Sequence, residues 1–262
     1  MKMFARVLLL ACVPFSTVGS YGQTATPAST TAAAPAPDAA IAKQIAGMEA
    51  KLADWPQLGR YRADNAALPP VAAGEQRVVF YGDSITDGWG RKAGTESTFF
   101  PGKPYVNRGI SGQTTPQMVV RFRQDVIDLH PAAVVILAAT NDIAGNTGPM
   151  TPEMTEDNFQ SMADLAHANG IKVILASITP AFDYPWKRGM EPAPKIRALN
   201  AWLKDYCQQH SYTYLDYYTA LTDAEGGMKP GTSSDGVHPT ATGYAIMEPL
   251  AQAAIDQTLG AK

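Results

Sequence analysis

Five short apolar runs, most of them followed by a stretch of helical periodicity, constrain this chain more than any other feature of it. Residues 77–81, 105–108, 133–139, 172–177 and 212–216 read as strands, and residues 115–129, 152–169, 195–209 and 240–259 as helices. Strands that alternate with helices run parallel, because each return crossing occupies a face of the sheet. The expected class is therefore α/β: a three-layer sandwich on a parallel five-stranded sheet. Local signals agree with it. Thr151-Pro152-Glu153 combines an N-cap with proline at the first helical position, and Asn169-Gly170 is a helix stop.

Of the 262 residues, enough remain for one full α/β core once the ends are set aside. The formal net charge of −3 argues against a nucleic-acid partner, which requires a basic face. No apolar run is long enough to span a membrane. Residues 1–20 have the plan of a secretory signal peptide: Lys2 and Arg6, an apolar stretch over 7–15, then small residues at 18–20. Export to the periplasm or medium is the expectation, with lipid anchoring at Cys12 as the alternative. Cleavage leaves Cys207 without a disulfide partner, as a small apolar residue on a helix. Residues 21–40, rich in Thr, Ala and Pro, read as a disordered tether. Residues 41–70 read as a helical extension that lays Ile41, Ile45, Met48, Leu52 and Trp55 on the outside of a domain at 71–262.

The chemistry starts at Val78-Val79-Phe80-Tyr81-Gly82-Asp83-Ser84. Ser84 falls at the carboxyl end of a strand and the positive end of a helix, where open α/β sheets place their ligands. Serine is a weak nucleophile without a base and an oxyanion site. His130, His167 and His210 lie in or beside helices without a suitable acid. His238 follows Asp235 by three residues across Gly236, so the carboxylate can hold Nδ1–H and leave Nε2 to take the serine proton. Taken alone, Asp-x-x-His is also an ordinary turn. Gly109 can offer a backbone N–H and Asn141 a side-chain amide at the ends of the second and third strands. Each is common turn chemistry alone; their conjunction at one sheet edge carries the reading.

Two long connections, 90–104 and 177–194, follow strand ends and suit the walls of a site. Phe182, Tyr184 and Trp186 are pocket candidates with Asp83 and Arg108, although a purely structural aromatic cap fits as well. Arg108 or Arg188 can meet an anionic group. No His, Cys, Asp or Glu cluster has metal-ligand spacing, and no cofactor or metal is expected.

Four blocks in order resemble the SGNH hydrolase superfamily, the GDSL esterase and lipase family, over residues 76–258. They are Gly82-Asp83-Ser84-Ile85, Asn107-Arg108-Gly109, Thr140-Asn141-Asp142, and Asp235 with His238. The chain looks most similar to exported bacterial acylhydrolases of the platelet-activating-factor acetylhydrolase branch. The resemblance implies a flavodoxin-like strand order of 2-1-3-4-5, a Ser84–His238–Asp235 triad, and an oxyanion hole from Ser84, Gly109 and Asn141. It implies hydrolysis of a small-molecule or polysaccharide ester, with short-chain or O-acetyl groups favoured. Ile85 stands for the usual leucine, a nearly volume-neutral change. Ala139 stands for the usual glycine, where its methyl either narrows the site or is absorbed by packing. Two other readings compete: an O-acyltransferase with the same site, and a non-catalytic surface-glycan binding protein. A flavodoxin-like nucleotide binder is disfavoured, since no phosphate-loop lysine follows the glycine turn.

Overall fold

The computed structural model describes residues 38–260. The expected signal peptide with Cys12, and nearly all of the expected tether, lie outside the described residues. The chain divides into two compact units, Met1–Ile45 and Ala46–Lys262, and the described part of the first is the beginning of helix α1. Helix α1 (Ala39–Ala53) buries none of its residues, and Met48 and Leu52 stay largely exposed. The second unit instead holds residues 54–69 by polar anchors. Gln117 Nε2 donates to the Trp55 carbonyl at 2.6 Å and Gln124 Nε2 to that of Leu58 at 2.8 Å, while Tyr61 is fully buried.

After α2 (Arg62–Ala67), the chain alternates as expected. In order come β1 (Val78–Gly82), α3 (Ser84–Gly88), β2 (Tyr105–Gly109), α4 (Thr115–Asp125), β3 (Ala133–Leu137), α5 (Thr140–Ile143) and α6 (Pro152–Ala168). Then follow β4 (Lys172–Ala176), α7 (Pro192–His210), β5 (Thr213–Leu215), α8 (Tyr217–Leu221) and α9 (Ala241–Leu259). The five strands pair in parallel in the order β2-β1-β3-β4-β5. Helix α7 starts three residues before the expected position. Pro192 at its first turn has no N–H to satisfy, so proline opens this helix rather than delaying it.

Period-two alternation splits β1 between two cores. Val79 and Tyr81 face Phe122 of α4, Phe159 of α6 and Leu203 of α7. Val78 and Phe80 face Trp89, Tyr244 and Met247. Each fully buried large side chain contributes roughly 1.5–3 kcal/mol of transfer energy, so the sheet is fixed from both sides. Register then aligns the strand ends: Gly82 lies opposite Gly109 on one side and Leu137 on the other. Arg121, fully buried, ties that edge together. It donates to the Gly82 carbonyl at 3.0 Å and the Arg108 carbonyl at 2.9 Å, and pairs with Asp125 at 3.1 Å.

Candidate active site

The site begins where β1 meets α3. Gly82 is required by close approach: a Cβ there would lie 2.5 Å from the Leu137 carbonyl and 2.3 Å from Thr86 Oγ1. Asp83 caps α3, its Oδ1 accepting the Ile85 N–H at 3.0 Å. This cap sets Ser84 as the first helical residue, half-buried, at the carboxyl edge of the sheet.

His238 arrives from the loop before α9. Ser84 Oγ stands 2.9 Å from His238 Nε2, and His238 Nδ1 lies 2.7 Å from Asp235 Oδ2. In the tautomer whose Nδ1–H donates to Asp235, Nε2 is the acceptor facing the hydroxyl. The second Asp235 oxygen accepts the backbone N–H groups of Val237 at 3.0 Å and His238 at 2.8 Å. Partial burial raises the Asp235 pKa, but these backbone bonds and the His238 contact outweigh it and bring the group down to about 2. Asp235 is therefore an anion that orients the imidazole over the working pH range.

Beneath the serine, Asp83 is buried and its Oδ2 has no partner among the described residues. Burial pushes its carboxyl up to about 7, against the lowering effects of the Ile85 N–H and His238, with Asp142 raising it further. Asp142 accepts the Thr115 N–H and hydroxyl, yet burial still raises it to about 6.

Asn141 is the second residue of α5 and lines the cleft with Ser84 and His238. Its Nδ2 donates to the Gln113 carbonyl at 2.9 Å, and its Oδ1 accepts from Asn146 Nδ2 at 2.7 Å. One amide hydrogen remains for a ligand.

Gly109 does not occupy the expected place. Its N–H is taken by Asn107 Oδ1 at 2.9 Å, and it is absent from the cleft lining. A Cβ at Gly109 would lie 2.1 Å from the Asp87 nitrogen, so the glycine lets β2 end directly against α3. The residue that lines the cleft is Gly112, at φ +80°, whose N–H has no partner among the described residues. The signal for it was a second glycine in the same turn, Gly109-Ile110-Ser111-Gly112, one step further from the strand.

The cleft measures about 450 Å3. Of the aromatic candidates, Trp186 lines it, with its ring centre 6.0 Å from that of His238. Tyr184 is buried behind Trp186 and stacks on it at 5.0 Å. Phe182 is exposed and not part of the lining. Arg108 is not a pocket residue either: it is buried, donates to Asn65 Oδ1 at 2.7 Å and lies over the Tyr61 ring. Arg188 is exposed, 3.8 Å from Asp183. The cation at the cleft is Lys92, which donates to Ser234 Oγ at 3.3 Å. Tyr244 completes the wall, its hydroxyl donating to the Ile85 carbonyl at 2.8 Å. His130, His167 and His210 are exposed and apart from the cleft.

Ala139 sits just before Asn141 with φ +88° and no exposure. That left-handed conformation explains why a glycine is usual there, and the alanine is held in it by burial.

Residues 80–246 match the GDSL-like Lipase/Acylhydrolase family. A GDSL-like lipase of known structure from Bacteroides thetaiotaomicron is 46% identical, with a TM-score of 0.73, covering 77% of this chain and 98% of that one. Axe2, an acetylxylan esterase from Geobacillus stearothermophilus, shares the fold at 21% identity and TM-score 0.56, covering 71% of this chain and 96% of that one. Esterase TesA of Pseudomonas aeruginosa is 28% identical over 136 residues, 51% of this chain. That match spans 60% of the length of TesA.

Proposed function

The chain belongs to the GDSL-like lipase/acylhydrolase family, and from that premise we propose that it is a serine carboxylic ester hydrolase. The observation that carries this reading is the 2.9 Å contact of Ser84 Oγ with His238 Nε2, backed by Asp235 at 2.7 Å. Ser84 Oγ attacks the acyl carbonyl while His238 Nε2 removes its proton. Asp235, already ionised, stabilises the imidazolium that forms. The tetrahedral oxyanion is met by the Ser84 and Gly112 N–H groups and the remaining Asn141 Nδ2–H. His238 then protonates the leaving alcohol. Water, deprotonated by the same Nε2, cleaves the acyl-enzyme and restores Ser84.

The substrate is a short-chain acyl ester, an O-acetyl group on a carbohydrate above all. The cleft of about 450 Å3 takes a small acyl group beside one sugar ring. Trp186, 42% exposed beside His238, offers that ring an aromatic face. The acetylxylan esterase activity of Axe2 agrees with this substrate class. The protein acts outside the cytoplasm, as the plan of residues 1–20 implies.

Rapid mixing with nitrophenyl acetate, followed by acid quench and peptide mapping, tests the acyl-enzyme. One acetyl group on the Ser84 peptide is expected. Hydrolysis with no labelled serine, even under conditions that slow deacylation, would replace this mechanism with direct attack by water. Acetate release must exceed transfer to an added sugar acceptor; the opposite balance would make the protein an acyltransferase.

A further inference from the structure

A second cavity, of about 860 Å3, lies beside the cleft and shares Ser111, Gly112 and Asn146 with it as a common wall. Its far side is built by the segment that precedes the sheet, through Lys51, Trp55 and Arg60. That segment is anchored to the turn carrying Gly112. Gln113 Nε2 donates to the Pro56 carbonyl at 2.8 Å, and the Gln113 carbonyl accepts from Asn141 at 2.9 Å. One residue thus joins the amide donor of the first cavity to the outer wall of the second.

The lining of the second cavity mixes an indole with polar side chains and carries two cations, Lys51 and Arg60, against one acid, Asp54. Among the described residues, Lys51 and Arg60 form no ion pair. The Asp54 carboxylate between them is occupied by the N–H groups of Leu58 at 2.7 Å and Gly59 at 2.8 Å. Trp55 is 38% exposed, although its backbone is fixed through Gln117. An aromatic face among hydroxyl-seeking donors suits a sugar and not an acyl chain. Across the shared wall stands the other exposed indole: Trp186 Nε1 donates to Asn146 Oδ1 at 3.2 Å. Two indoles thus flank Gly112 and Asn146, one on the Ser84 side and one on the far side.

We propose that the two cavities form one continuous cleft for a carbohydrate chain, in which Trp55 and Lys51 bind sugar units beyond the one that carries the ester. This rests on Ser84 being the nucleophile and adds that the substrate is an oligomer. The segment at 51–60 is then a specificity element contributed from outside the α/β sheet. Loss of its contacts weakens selection of long substrates more than the chemical step on small ones.

The test compares kcat/KM for nitrophenyl acetate, an acetylated xylose and acetylated xylo-oligosaccharides in the full chain and in Trp55→Ala and Lys51→Ala. Wild type favours the oligosaccharide over the monosaccharide. In each variant the ratio of oligosaccharide to nitrophenyl acetate kcat/KM falls about fivefold or more. An unchanged ratio in both variants, or a wild type indifferent to chain length, overturns the extended cleft while leaving the esterase reading intact. If wild type hydrolyses none of the three, the nucleophile assignment itself fails.

Discussion

Asn107 Oδ1 accepts the Gly109 N–H at 2.9 Å and so removes that donor from the site. The Asn107 amide also donates to the Thr86 carbonyl at 2.6 Å and that of Trp89 at 3.0 Å, so the asparagine belts β2 to α3. In the proposed mechanism the oxyanion donor is then Gly112, which lines the cleft. In 15N-labelled protein carrying an alkyl phosphonate on Ser84, the Gly112 amide proton should move downfield while that of Gly109 stays in place. The reverse pattern would return the role to Gly109.

In the proposed mechanism Asn141 supplies the side-chain donor. Replacing it with alanine should lower kcat by roughly 100–1000-fold, about 2.7–4 kcal/mol of transition-state stabilisation. Steady-state kinetics on an aryl acetate reads this directly. A loss of only two- or threefold would reduce Asn141 to the partner of Asn146 and the Gln113 carbonyl.

Asp83 makes stability depend on pH. Its carboxyl, raised to about 7 by burial, starts from about 3.9 in the unfolded chain. Between these values the folded state binds the extra proton, so stability is greater at low pH and falls as pH rises through about 7. Asp142, raised to about 6, adds to the same slope. Asp83→Asn keeps the cap on Ile85 and removes the charge. Urea unfolding at pH 5 and pH 8 should then differ less than in wild type, by at most about 2.7 kcal/mol. An undiminished difference would place the titration elsewhere.

Ala139 holds φ +88° in a wholly buried position. A side chain in the left-handed region costs about 1–2 kcal/mol, and glycine escapes it at the expense of greater freedom when unfolded. Ala139→Gly should therefore stabilise the protein by about 1 kcal/mol, measured by denaturant midpoint. A destabilised variant would mean that the buried methyl packs better than the backbone is strained.

The sheet was legible because buried parallel strands leave apolar runs and their connecting helices leave periodicity. Proline and the short cap signals located α6 and misplaced the start of α7, where proline serves as a first-turn residue. Ser84, Asp235 and His238 could be singled out as types at spacings, since a base three residues after an acid needs little tertiary context, and the structure brings the three side chains within hydrogen-bond distance. Gly109 and Arg108 were misassigned because strand position alone does not reveal hydrogen bonding. Asn107 consumes the first, and Asn65 with the Tyr61 ring consumes the second. Lys92 and Tyr244 were invisible, for they reach the cleft from a loop and a helix that only tertiary packing brings there.

In the proposed mechanism Ser84, held 2.9 Å from His238, performs the chemistry. Aryl acetate hydrolysis by Ser84→Ala, with its fold checked by circular dichroism, measures this most directly. The proposed mechanism requires a folded protein whose turnover drops to the uncatalysed background. A folded variant that retains wild-type turnover would contradict it.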